Sequence, residues 1–117
     1  MKGGKGEALM ILFEGTADCD NFKGRVLPGA VDTQKEIYGS VRTLSARYIL
    51  EGRDKSGKEC RIFVENNGAA KNGKIEETTP IVLTDSSELK YLETEKLAGA
   101  IAPTETGVVI RIFLENE

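Results

Sequence analysis

The sequence predicts an all-β protein, a small antiparallel β-barrel of about seven to eight strands with one short helix near residues 86–92. Three observations carry that prediction. Short β-prone runs recur at roughly even spacing with turn residues between them, only one segment has helical character, and Ser45 to Gly68 reads as a long hairpin with matched partners. In that hairpin Asp54-Lys55-Ser56-Gly57 suits a type I turn with Gly57 in the left-handed region, a three-residue loop that sets Asp54 opposite Lys58. Counting outward, Leu50 faces Ile62, Tyr48 faces Val64 and Ala46 faces Asn66 on one side. Ile49 faces Phe63, Arg47 faces Glu65 and Ser45 faces Asn67 on the other. A two-residue loop would slip the register and scatter the apolar residues over both faces.

The remaining elements follow in chain order. Residues 1–6, Met-Lys-Gly-Gly-Lys-Gly, are too polar and glycine-rich to pack and read as a flexible tail, leaving 7–117 as a single domain. Ala8 to Ala17 is the first strand, and Asp18-Cys19-Asp20-Asn21 a turn. Phe22 to Gln34 is extended but broken by Pro28-Gly29, which fits a bulge or bend. Val41 to Arg53 and Lys58 to Ala70 form the hairpin, and an Asn72-Gly73 turn leads into Ile75 to Thr84, interrupted at Thr78-Thr79-Pro80. Asp85 or Ser86 caps the short helix, with Glu88 early in it. Leu97 to Ala102 and Val108 to Leu114 close the chain around a Pro103 to Gly107 loop.

Composition narrows the function. The chain has 117 residues, a net charge of −3 and scattered basic residues, so the positive stripe of a nucleic-acid binder is missing. No apolar run approaches the roughly 18 residues of a membrane span, and the expected location is cytoplasmic. There is no histidine, which removes Ser-His and Cys-His nucleophile systems and most zinc sites. Cys19 and Cys60 have neither metal-ligand spacing nor a disulfide pattern; Cys60 falls on the apolar hairpin face as a small core residue. No cofactor and no metal are expected, since Asp18, Asp20 and Asn21 supply too few ligands for a Ca²⁺ loop.

The order Phe22-Lys23-Gly24-Arg25-Val26-Leu27-Pro28-Gly29-Ala30-Val31-Asp32, then Ala46-Arg47-Tyr48, Gly57 and Ile62-Phe63-Val64-Glu65-Asn66-Asn67-Gly68, resembles uncharacterised protein family 0311, also known as domain of unknown function 3237. Thr78-Thr79-Pro80, Tyr91-Leu92 and the Val108 to Ile112 strand follow in the same order, so the resemblance spans nearly the whole chain. Ala30 stands where the family has a second glycine, and Thr33 where an aromatic residue often follows the Asp. The resemblance implies a calycin-like antiparallel barrel and no agreed activity.

The candidate site residues are Asp32, Ser45, Arg47, Tyr48, Glu65 and Asn67. Arg47 held by Glu65 offers free N–H groups to an anionic or carbonyl-bearing ligand; its bland alternative is a surface ion pair worth about 0.2–1 kcal/mol. Ser45 and Asn67 add neutral partners on the same face. Asp32 follows a backbone break and is, with Glu65, a candidate acid–base group, or else an Asx-turn residue. Gln34 is a weaker candidate, and Tyr48 is a core or barrel-lining aromatic. The leading expectation is a barrel that binds a small, partly apolar metabolite. A cofactor-independent isomerase, cyclase or lyase is one alternative, and a structural subunit with a filled barrel is another. A homo-oligomer, with a dimer favoured, is expected from an exposed edge or outer apolar face. Alternation alone leaves open which hairpin face points inward.

Overall fold

The computed structural model describes residues 1–115; Asn116 and Glu117, the end of the expected 7–117 domain, lie outside the described residues. The strands are β1 (Gly6–Leu12), β2 (Thr16–Asp18), β3 (Phe22–Val26), β4 (Val31–Ile37), β5 (Arg42–Asp54), β6 (Glu59–Lys71), β7 (Lys74–Ile75), β8 (Thr79–Thr84), β9 (Leu97–Pro103) and β10 (Val108–Leu114). A single 3₁₀ turn, Lys90–Glu93, stands where the short helix was expected. Ser86 closes the preceding turn instead of capping that helix, its Oγ accepting the Leu89 N–H at 3.3 Å.

The β5–β6 hairpin is the spine of the fold, and its register is the one read from the turn: Leu50 opposite Ile62, Tyr48 opposite Val64, Arg47 opposite Glu65. The Asp54 N–H donates to Lys58 O, the Gly57 N–H donates to Asp54 O, and Gly57 has φ +84° as the loop requires. Asp54 Oδ1 accepts from Ser56 N, Ser56 Oγ and Lys58 N, and its Oδ2 from Ser86 Oγ at 2.7 Å. These donors, the two serine hydroxyls foremost, hold the Asp54 carboxyl below its ordinary range. The Pro28-Gly29 break has a definite job. It carries the chain from β3, paired with the Leu50–Asp54 end of β5, to β4, paired with the Arg42–Arg47 end, so two short strands share one edge of a long one.

The barrel expectation needs correction: eight strands form one sheet, β9 and β10 form a separate hairpin, and the sheets are open. Among the described residues β1 pairs only with β4, and β10 only with β9. One isolated bridge, Thr78 to Gly99, links the hairpin to β8. Backbone chemistry explains why that ladder does not extend. Pro80, the next residue of β8 to direct its backbone toward β9, has no N–H to give. On the other side the Glu76 N–H is already donated to Ala69 O at 3.2 Å. The radius of gyration, 15.2 Å, exceeds the roughly 13 Å of a compact chain this long, as an open sheet with long strands should. Residues 1–6 fold back on the edge of β1, with Met1 exchanging backbone hydrogen bonds with Ala8.

The core lies on one face of the sheet. Ala46, Tyr48, Cys60, Ile62, Val64 and Val82 are buried there, covered by Leu89 and Leu97 with Phe13, Leu92, Ile112 and Leu114 packed around them. The apolar face of the hairpin is therefore the inner one, and Arg47, Ile49 and Glu65 belong to the outer one.

Candidate functional site

The six residues singled out in the sequence divide between the two faces of the sheet, so they do not line one pocket. On the outer face Ser45 Oγ donates to Asn67 Oδ1 at 2.7 Å, Asn67 Nδ2 donates to Glu65 Oε2 at 2.9 Å, and Glu65 Oε1 lies 3.3 Å from Arg47 Nε. The four form one chain of contacts, as the register demanded. The Arg47 side chain is 62% exposed, and an ion pair of that kind is worth at most about 1 kcal/mol.

On the inner face the register aligns Ile11, Asp32, Ala46, Asn66 and Pro80 in one row across β1, β4, β5, β6 and β8. The next row contains Leu9, Gln34, Leu44 and Gly68, and the third Glu7, Glu36, Arg42 and Ala70. Side chains within a row are cross-strand neighbours, so this geometry gathers polar groups from β1, β4 and β5. Arg42 Nη1 donates to Glu7 Oε1 at 2.8 Å and lies 3.6 Å from Glu36 Oε1. Arg42 Nε donates to Gln34 Oε1 at 3.0 Å, and Gln34 Nε2 donates to Asp32 Oδ2 at 2.8 Å. The result is a hydrogen-bonded file, Glu7–Arg42–Gln34–Asp32, on the face that also carries the apolar core. At its Arg42 end lies an open groove of about 430 Å³ lined in part by Glu36, Ser40, Val41, Arg42 and Lys71.

At the other end of the file three buried oxygens have no protein partner: Asp32 Oδ1, Asn66 Oδ1 and Thr78 Oγ1. Asn66 and Thr78 are 1% and 2% exposed, and a buried polar atom left unpaired costs about 1–3 kcal/mol. Gly99 lies against both. A Cβ there would collide with Thr78 Oγ1 and stand 3.5 Å from Asn66 Oδ1, so only glycine lets the β9–β10 hairpin close over this spot. Ala46, small and buried, stands between Asp32 and Asn66 in the row. Tyr48 stands one inner position along β5, its ring edge-on to Phe13 with centroids 5.4 Å apart. Burial pushes its phenol up to about 12, so Tyr48 remains a neutral hydroxyl at any physiological pH.

Of the site residues the sequence singles out, Asp32, Gln34 and Tyr48 lie on the inner face, while Arg42, Asn66 and Thr78 beside them are not among those singled out. Two of those were recoverable. Asn66 is the polar exception in the inner series Cys60, Ile62, Val64, and Arg42 shares parity with Leu44 and Ala46. A second groove, about 380 Å³ near the hairpin turn, holds Arg53 and Arg61, but each is committed to a carboxylate: Glu59 at 3.2 Å and Glu51 at 2.8 Å. Among the described residues no three His, Cys, Asp or Glu side chains converge as a metal set, and no helix is long and apolar enough to cross a membrane.

No family model matches the chain, and no curated protein does. Solved structures do. A protein of unknown function from Clostridium acetobutylicum ATCC 824 superposes with a TM-score of 0.75 at 25% identity, covering 93% of this chain and 81% of its own. A β-barrel-like protein from Acinetobacter baumannii AYE superposes with a TM-score of 0.72 at 17% identity, covering 96% and 80%. The fold is therefore shared with proteins of unknown function and barrel-like form. The resemblance to uncharacterised protein family 0311 rests on the residues quoted above alone.

Proposed function

We propose that the protein binds a small, partly apolar molecule against the inner face of its sheet, with the Glu7–Arg42–Gln34–Asp32 file orienting the ligand's polar end. The observation that carries this reading is the file itself, which runs from an open groove to three buried oxygens with no donor. A core stabilised by burial alone has no use for such a file, because unpaired buried oxygens subtract from stability unless something else supplies their hydrogen bonds. A ligand bearing hydroxyl or N–H groups supplies them. Arg42 uses Nε on Gln34 and Nη1 on Glu7, which leaves Nη2 to meet a carbonyl or carboxylate entering by the groove. Leu44, Tyr48 and Phe13 offer the apolar contact.

In this arrangement the ligand reaches Asn66 and Thr78 when the β9–β10 hairpin parts from β8, to which the Thr78–Gly99 bridge ties it. Acid–base turnover would fall to Asp32, whose Oδ2 is oriented by Gln34 while Oδ1 is free of protein donors. Binding is the activity proposed. Native mass spectrometry of gently purified protein tests it: a co-purifying small molecule that Arg42→Ala and Asp32→Asn both release supports the reading. A ligand retained equally by both variants, or none retained by the wild type and none taken up from a metabolite extract, overturns it.

A further inference from the structure

The outer face carries a second, independent signal. Three large apolar side chains, Ile49, Ile81 and Leu83, point to that side on β5 and β8 and are 41–56% exposed, with Phe63 between Ile49 and Leu83 in the same row. We infer that this face pairs with a second copy of this chain, sheet on sheet, through a two-fold axis parallel to the strands above the seam between β5 and β6.

The order of residues across the strands is self-complementary. Such an axis keeps each cross-strand row in line and exchanges its two halves, so a row fits its own copy only when its halves complement each other. One row reads Val31, Arg47, Glu65, Ile81 across β4, β5, β6 and β8. The exchange sets Arg47 over the second copy's Glu65 and Val31 over its Ile81, charge against opposite charge and apolar against apolar. The neighbouring row is apolar throughout. Leu27, whose N–H donates to Ile49 O, stands beside Ile49, Phe63 and Leu83, so Ile49 meets Phe63 and Leu27 meets Leu83.

The rows on either side agree. Thr33, Ser45, Asn67 and Thr79 are neutral and hydrogen-bonding in both halves. Arg25, Glu51 and Arg61, continued by Asp85, whose Oδ1 accepts the Arg61 N–H, set opposite charges against each other under the same exchange. The face thus has an apolar and ion-paired middle between a neutral polar row and a charged row, the composition of a specific interface. Its size is adequate. Four strands about 4.8 Å apart and roughly seven residues of about 3.3 Å project an area of about 440 Å², toward the smaller end of specific interfaces.

Sedimentation velocity on the full chain tests this. The wild type is expected to be a dimer, and Arg47→Glu or Glu65→Arg alone to weaken association on the order of tenfold or more, since each makes like charges face across the axis. Mixing the two variants is expected to restore a heterodimer, because one then presents two carboxylates and the other two guanidiniums. Ile81→Lys, on the exposed edge strand β8, is expected to give folded monomer by circular dichroism. A wild type that stays monomeric up to roughly 1 mM overturns the inference. So does a dimer indifferent to all three substitutions, which would place association on another surface.

Discussion

Gly99→Ala tests the contact on which the inner face depends. The added methyl collides with Thr78 Oγ1, on a short side chain whose backbone is itself fixed to Gly99 by two hydrogen bonds, N–H to O at 2.8 Å and 2.9 Å. Thr78 has little room to yield, since it is 2% exposed. Overpacking of this kind costs about 1–3 kcal/mol, and each lost backbone bond about 0.5–1.5 kcal/mol. The expected loss is therefore about 2–6 kcal/mol by urea unfolding at 25 °C. Because no second β8–β9 bridge supports the hairpin, hydrogen exchange at the Thr78 and Gly99 amides should rise together. Gly99→Ala combined with Thr78→Ala should recover part of the loss by removing the colliding hydroxyl. A change below about 0.5 kcal/mol with both amides still protected would refute the close packing of Gly99 on Thr78.

Other outcomes follow from single side chains. Arg42→Ala leaves the partly buried Glu7 and Gln34 without their donor and should lower the midpoint of urea unfolding while abolishing ligand retention; unchanged stability would show that the file is not formed in solution. The Asp54 carboxyl is held below its ordinary 3.8, so its contribution is present above that value and is lost as pH falls through the lower folded-state value; thermal melts from pH 6 downward should show Asp54→Asn with a shallower acid decline than the wild type. Tyr48, pushed up to about 12 by burial, favours folding below the ordinary value of 10 and loses that contribution as pH rises through 12. A late phenolate absorbance step near 12 should accordingly vanish in Tyr48→Phe. A disulfide-exchange reagent should titrate the exposed Cys19 quickly and reach Cys60 only on unfolding, because burial, aided by the Asp54 and Asp85 charges, raises the Cys60 thiol.

The hairpin was legible because its turn chemistry fixes register, and register fixes every pair from Asp54 outward, including the Arg47–Glu65 contact. The Pro28-Gly29 break was legible for the same local reason, although its use, handing the chain from one end of β5 to the other, appears only in the pairing. Barrel closure was not legible. It needs β8 to continue into β9 and the outer strands β1 and β10 to find partners. One missing N–H at Pro80 together with one committed N–H at Glu76 stops the first of these ladders, and among the described residues β1 and β10 each keep a single strand partner. The site was half legible because alternation separates two faces without saying which is covered. Arg47 and Glu65 drew notice as a matched pair, while Arg42, whose partners Glu7 and Gln34 come from distant strands, required the sheet order β1-β4-β5 to be seen.

The most direct test of ligand binding at the inner face is chemical-shift mapping of the isotope-labelled full chain against a fragment library containing amides, hydroxy acids and aromatic alcohols. Hits are expected to move the side-chain signals of Gln34, Arg42 and Asn66 and the amides of Leu44 and Gly99. A library without hits, or hits that move only outer-face residues around Arg47 and Glu65, would contradict it.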